Sequence, residues 1–350
     1  MSGAPHARPL AELRSTDADA YGGKSAGLGE LIAAGIPVPP GFALPTAAFL
    51  RFVEDAGLGP AIDAELAALS VADTRATQAS AARIAELIRA APLGDALRSD
   101  LARRYEELDV AEQPPVAVRS SALGEDGADA TFAGAQESYL WVRGAEDLFT
   151  AVRDCWISLY SAEAISYRAN LAAAAAPAMG VTVQLMVDAA VSGVMFTCNP
   201  VSGDPSVTAV NASWGLGLAV VAGEVTPDYF LISKVTGETV RRTLGSKPFE
   251  YVAGAGGRGA VRAEVDEARR GAACLGDEQL AELVSISRSV QRHFGSHQDI
   301  EWAIDRDGVI FIVQSRAVTA VPGAAAEAPT APLSAMSLVM GTFGAHVGEG

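Results

Sequence analysis

The chain has 350 residues, 49% of them hydrophobic, enough apolar material for two subdomains with their own cores or for one large α/β unit. A formal charge of -16 with a pI near 4.7 argues against a nucleic-acid partner, because phosphate backbones are held through an excess of Lys and Arg. Cys155, Cys198 and Cys274 show no CxxC spacing, which speaks against a disulfide framework or a zinc site and fits a reducing compartment. The N-terminus lacks a hydrophobic signal core and no run of about 18 apolar residues occurs, so a soluble, cytoplasmic chain with no membrane partner is expected.

In chain order, residues 1 to 20 are polar and read as partly irregular. The stripe Leu28, Leu31, Ile32 predicts a helix over residues 24 to 34, stopped by Gly35 and the turn-rich IPVPPGF. Residues 46 to 109 read as several Ala-rich helices. A strand begins at residues 115 to 118, runs into RSS and then into the glycine-bearing ALGEDGADATFAGAQES, and a second strand follows at 139 to 142. Leu148, Val152, Trp156 and Leu159 mark the buried face of a helix. LAAAAAPAM, residues 171 to 179, has the low complexity of a connector. Strands then dominate, in VTVQLMV, GVMFTCNP, SVTAVNAS and DYFLISKV. A helix with Asp277 as N-cap runs to Phe294 and is stopped by Gly295. Past Val318 the composition turns to Ala, Pro and Gly, that of a linker or tail. The expected division is 1–178, 179–320 and 321–350.

DIEWAIDRDGVIFIVQSR, residues 299 to 316, reads as a β-hairpin closed by a two-residue primed turn at Asp307-Gly308. That register sets Glu301 opposite Gln314 and Asp299 opposite Arg316. Alternation then puts Ile300, Trp302, Ile304, Phe311 and Val313 on one face and the four polar residues on the other. The polar face is either a solvated outer surface or a metal and phosphate site. A carboxylate and an amide oxygen suit Mg²⁺, and an arginine nearby can grip a phosphate.

Other stretches are open in the same way. YGGKSAG ends like a phosphate-binding P-loop, but Ala18 stands where the first glycine belongs and the preceding residues are too polar for a buried strand. Lys24 is then either a surface lysine or a phosphate ligand at a helix start. Arg119 follows a hydrophobic strand and either faces a crevice or sits in a surface ion pair. The loop with Gly124, Gly127 and Gly134 suits a lid closing on phosphates or a loop without a role. Gln184 and Met186 lie in a strand that is either plain core or a wall for a purine. Taken together, these are the parts of an ATP site.

GGKSAGLGELIAAGIPVPPGF, VRSSALGED, TFAGAQES, VQLMV, SGVMFTCNP, ASWGLG, GEVTPD, LGSK, CLGDEQL and the DIEWAID…IFIVQSR hairpin resemble, in order and spacing, the amino-terminal ATP-grasp domain of the phosphoenolpyruvate synthase family. The same domain occurs in pyruvate phosphate dikinase, the rifampicin phosphotransferases and the smaller subunit of phenylphosphate synthase. The likeness covers roughly residues 18 to 320. It implies an α/β ATP-grasp fold of two subdomains with ATP between them, and Mg²⁺ and ATP as cofactors. It implies Lys24, Arg119 and Arg316 as phosphate or transition-state ligands, and Gly134, Ala135, Gln136 and Ser138 in a phosphate-covering loop. Gln184, Leu185 and Met186 would take the adenine, and Glu301 and Gln314 the metal. The implied reaction converts ATP to AMP and phosphate, with the β-phosphoryl passing to a histidine on a swivelling domain and thence to a small molecule.

Two departures qualify that implication. His6, His293, His297 and His346 are the only histidines, and none lies in a Gly/Thr/Ser-rich motif, so the histidine-bearing phosphocarrier is expected on another polypeptide. Leu218 in WGLGLAVV stands where relatives usually carry Glu. A catalytically silent nucleotide-binding module and a self-contained ATP-grasp ligase or kinase stay open as alternatives.

Overall fold

The computed structural model describes residues 6–69, 73–108, 112–122, 138–170 and 177–318. The chain divides into two compact units: Met1–Glu30, Pro40–Met186 and Ala255–Gly259 form one, and Leu31–Pro39, Val187–Gly254 and Ala260–Gly350 the other. Both are mixed α/β units built on antiparallel sheets.

The first unit carries strands β1 (Arg8–Pro9), β2 (Gly41–Leu44), β3 (Val116–Ala122), β4 (Ser138–Val142) and β5 (Met179–Leu185), ordered β1-β2-β5-β3-β4. Its helical elements are α1 (Ala18–Tyr21), α2 (Gly23–Ala33), α3 (Thr46–Asp55), α4 (Gly59–Ala67), α5 (Thr74–Ala90), α6 (Asp95–Glu106), α7 (Ala145–Ser158) and α8 (Ala162–Asn170). The Asp73 carboxylate starts α5 by accepting from the backbone N–H groups of Arg75 and Ala76, each at 3.0 Å. Alternation along β3 and β5 sorts the sheet into two faces. Val116, Val118, Val181 and Val183 join Phe42 and Leu44 in a core shared with Phe49, Phe52, Ile84, Ile88 and Trp156. Trp156 stacks on Phe52 with ring centroids 5.1 Å apart. The opposite face holds Ala117, Arg119, Ser121, Thr182 and Gln184. The expected boundary at residue 178 does not fall there. β5 is hydrogen-bonded to β2 on one side and β3 on the other, so residues 179 to 186 belong to the first unit.

The second unit carries β6 (Ala189–Phe196), β7 (Val207–Trp214), β8 (Asp228–Ser233), β9 (Thr239–Thr243), β10 (Phe249–Ala253), β11 (Ala260–Glu264), β12 (Gln298–Asp305) and β13 (Ile310–Ala317). Six of these form a sheet ordered β13-β12-β6-β7-β8-β9, and β10 pairs with β11. Its helices are α9 (Leu218–Val221), α10 (Glu267–Arg270) and α11 (Asp277–Phe294). Gly276, not Asp277, caps α11, and the Gln279 side chain accepts from the Gly276 N–H at 3.0 Å. Gly295 ends the helix as expected, in the left-handed conformation at φ 71°.

Trp302 is the largest side chain buried on the inner face of β12, 1% exposed, and lies in register with Gly193 of β6. A Cβ at residue 193 would lie 1.9 Å from the Asn211 carbonyl oxygen and 2.8 Å from the Trp302 ring, so the glycine makes room for both the β7 backbone and the indole. A fully buried ion pair, Asp228 with Lys247, ties the LGSK segment to β8. The Asp228 carboxylate also accepts from the N–H groups of Gly245 and Cys274, both at 2.9 Å, and from the Cys274 thiol at 3.0 Å. Burial, reinforced by the neighbouring carboxylate, pushes the Cys274 thiol well above its ordinary range.

Trp302→Ala is expected to cost about 3–5 kcal/mol in chemical denaturation. Trp302→Phe should cost less, because the indole N–H has no hydrogen-bond partner among the described residues to lose. Lys247→Met should cost about 3–5 kcal/mol by stranding the Asp228 charge in the interior. A midpoint shift below about a third of that would show the Asp228 backbone partners to suffice alone.

Candidate functional site

In the first unit, the GGKS segment is keyed onto the polar face of the sheet. Gly22 has φ 84° and ψ 155°, a conformation open to glycine, and a Cβ there would lie 2.2 Å from the Ser121 carbonyl oxygen. That close approach seats the start of α2 on β3 and β5. The Ser25 hydroxyl shares a 2.6 Å hydrogen bond with the Thr182 hydroxyl, and the Ser25 N–H donates to the Ser121 hydroxyl at 3.2 Å. Lys24, 5% exposed, donates from Nζ to the Ser120 carbonyl at 2.9 Å. The lysine is therefore held at β3 beside Arg119, not spread on the surface.

Arg119 pairs in register with Thr182 of β5 and with Ser138 of β4, which is exposed. Two positions along on the same face, Gln184 lies between Gly41 of β2 and Ala117 of β3. Its amide, 2% exposed, is thus flanked by a residue without a side chain and one with a methyl group. Leu185 and Met186 follow at the strand end, where their N–H groups donate to the carbonyls of Pro40 and Pro115 at 2.8 and 2.9 Å. Lys24, Arg119, Ser138, Gln184, Leu185 and Met186 all belong to this unit. The remaining expected loop residues, Gly134, Ala135 and Gln136, lie outside the described residues.

In the second unit, the pairs expected from the hairpin are present: Glu301 opposite Gln314 and Asp299 opposite Arg316. The route between them differs from the expected one. Asp305 pairs across to Val309, and a three-residue loop, Arg306 to Gly308, replaces the two-residue turn. The Asp305 carboxylate accepts from the N–H groups of Asp307 and Val309 at 2.9 and 2.8 Å, and Gly308 takes φ 88°. A bulge at Val313 then restores the register before Gln314. In consequence Ile310 and Ile312, not Phe311 and Val313, are the buried partners of Ile304 and Trp302.

Arg316 and Asp299 form a half-buried ion pair, with Nε and Nη2 donating to Asp299 Oδ2 at 3.0 and 2.8 Å. Gln314 is 7% exposed beside Glu301. The same face continues through Val194 of β6 to Asn211 of β7, a polar residue that sequence reasoning passed over. Its signal was an asparagine inside a run of β-formers, VTAVNASW, where strands normally avoid it. Among the described residues no group of three or more His, Cys, Asp or Glu could hold a metal. One carboxylate and one amide suit Mg²⁺ that arrives with phosphate oxygens and keeps water.

The sequence matches the family model described as pyruvate phosphate dikinase, AMP/ATP-binding domain, over residues 18–335. It is 40% identical over 320 residues to a probable phosphoenolpyruvate synthase of Methanothermobacter thermautotrophicus, covering 90% of this chain and 46% of that protein. It is 35% identical over 381 residues to the phosphoenolpyruvate synthase of Pyrococcus furiosus, covering 97% and 47%. It is 39% identical over 321 residues to a rifampicin phosphotransferase of a Streptomyces species, covering 89% and 36%. The chain thus spans less than half the length of these relatives. No helix among the described residues is long and apolar enough to cross a membrane.

Gly22→Ala and Gly35→Ala together test the keying of the GGKS segment. Both glycines have positive φ, but nothing lies within 4 Å of a Cβ at Gly35. Gly35→Ala should cost about 1–2 kcal/mol of backbone strain. Gly22→Ala should cost more than that, since a Cβ there would lie 2.2 Å from the Ser121 carbonyl oxygen. Equal losses in denaturation would refute the close packing on Ser121.

Proposed function

From the chain's membership of the pyruvate phosphate dikinase AMP/ATP-binding domain family, we propose that it is the Mg·ATP-binding component of a phosphoenolpyruvate-synthase-like phosphotransferase of ATP-grasp architecture, with residues of both units acting on one nucleotide. The observation that carries this reading is the polar face of the β12–β13 hairpin, where Glu301 and Gln314 stand opposite each other and Asp299 fixes Arg316 two residues away. Phosphoryl transfer is mostly positioning and charge stabilisation, so the parts required are a hard-cation site and converging cations. Mg²⁺, when bound, supplies charge neutralisation on the phosphates. Glu301 and Gln314 hold it, Arg316 orients the terminal phosphates, and Lys24 and Arg119 meet the same phosphates from the first sheet. Gln184, Leu185 and Met186, at the end of β5, take the adenine.

The reaction assigned takes ATP and water to AMP and phosphate, with the β-phosphoryl group passing to a histidine nitrogen of a phosphocarrier domain and from there to a small-molecule acceptor. A second reading, nucleotide binding without turnover, is favoured by one residue: Leu218 opens α9 with an apolar side chain where the family resemblance implies a carboxylate.

The purified chain is to be mixed with Mg·ATP, alone and with a histidine-domain partner, and the adenine nucleotide identified. AMP with equimolar phosphate and a phosphorylated partner is the expected outcome. ADP formed without a partner would replace this reading with a ligase or kinase, and tight binding without product would favour the silent module. Glu301→Ala and Arg316→Ala should each leave the thermal midpoint within a few degrees, since neither side chain is in the core, yet weaken Mg·ATP use at least about 10-fold. Full activity in both would remove the hairpin from the site.

A further inference from the structure

The register of the second sheet lines up Gln314, Glu301, Val194 and Asn211 in one row across β13, β12, β6 and β7, all on the polar face. Adjacent strands lie about 4.8 Å apart, so Glu301 and Asn211 are separated by about 9.6 Å of sheet with a single valine between them. Asn211 is 7% exposed, and its side chain makes no hydrogen bond among the described residues. Val194 beside it packs against the apolar cluster of Ala219, Val220, Val225 and Phe249. An amide held against apolar surface without a protein partner is unfavourable unless a ligand or water takes it. Two residues along β7 on the same face, the fully buried Ser213 hydroxyl also has no partner among the described residues. On the opposite face of the same strand, the Thr208 hydroxyl is matched by the Ser287 hydroxyl at 3.2 Å. On β7 the Thr208 hydroxyl is thus matched where it meets helix α11, whereas Asn211, in the row of Glu301, and Ser213, in the next row on that face, make no side-chain hydrogen bond among the described residues.

We propose that Asn211 is a further oxygen donor to the divalent cation assigned to Glu301 and Gln314, directly or through a water held by that cation. The inference rests on the hairpin's assignment as the cation site. Mg²⁺ accepts six oxygens and keeps several as water, so a donor across one strand adds to its shell without requiring a second carboxylate. A neutral amide does this without adding negative charge beside a triphosphate. Asn211 on this account sets the affinity for the cation in the nucleotide complex and leaves the affinity for metal-free ATP alone.

The test is a titration of the full chain with Mn²⁺, a paramagnetic substitute for Mg²⁺, at saturating ATP, read by electron paramagnetic resonance, with metal-free ATP binding measured in parallel. Asn211→Leu, nearly the same size, should weaken Mn²⁺ about 10-fold, leave metal-free ATP binding unchanged, and leave the thermal midpoint unchanged or raised. Asn211→Asp should strengthen Mn²⁺ binding several-fold, a gain that a merely structural asparagine would not give, and it keeps the test valid if the leucine variant fails to fold. Glu301→Gln serves as the reference. If it weakens Mn²⁺ binding while both Asn211 variants bind as the parent does, the Asn211 assignment is overturned and the hairpin site stands. If Glu301→Gln itself binds Mn²⁺ unchanged, the hairpin site falls and the Asn211 assignment with it.

Discussion

The contact between Trp302 and Gly193 fixes which face of the second sheet is polar. A strand has a side-chain period of two, so a slip of one residue between β12 and β6 would drive Glu301 into the core and expose the indole. The missing side chain at residue 193 favours this register, since a Cβ there would meet both the Asn211 carbonyl of β7 and the Trp302 ring. Once that register is set, Asp299, Glu301, Gln314 and Arg316 have no choice of side. The first sheet obeys the same constraint with different residues. Val181 and Val183 enter the core, and Thr182 and Gln184 are left on the face that receives Ser25.

How far this was legible in the sequence depends on which physical signal each residue carried. The pairings of Glu301 with Gln314 and Asp299 with Arg316 were legible because alternation of Ile, Trp and charged residues is strong over the whole hairpin. The turn was not. Asp-Gly is compatible with a primed turn and with a longer loop whose glycine is left-handed, and the Asp305 carboxylate, bonding two N–H groups, selects the second. The added loop residue would have shifted the polar pairs apart had Val313 not bulged. Two departures from the expected hairpin cancel at the site and persist only between them, where Phe311 and Val313 change places with Ile310 and Ile312.

The misplaced boundary at residue 178 has a related cause. Low complexity marks where a chain is uninformative, whereas hydrogen bonding decides where a sheet ends, and β5 is bonded on both sides. β9 was invisible because TVRRT is exposed at every position and so lacks the apolar alternation by which strands are recognised. In GGKS the positive-φ glycine, Gly22, lets the backbone approach Ser121 more closely than a Cβ would allow. The segment thereby places Lys24 at β3, where its Nζ donates to the Ser120 carbonyl.

Buried polar groups in this chain fall into two kinds, and the distinction separates scaffold from site. Asp228 is fully buried and saturated: Lys247, two backbone N–H groups and the Cys274 thiol all converge on it. Such a network is costly to break and has nothing left to offer a ligand, so it acts as a clamp on the LGSK segment. Gln314 and Asn211 are nearly as buried, yet neither amide finds a protein partner among the described residues. An unmatched amide in a sheet costs stability that a well-packed valine would not. Two such amides stand in one row with Glu301 and Val194 between them, on the face opposite Trp302 and Ile304.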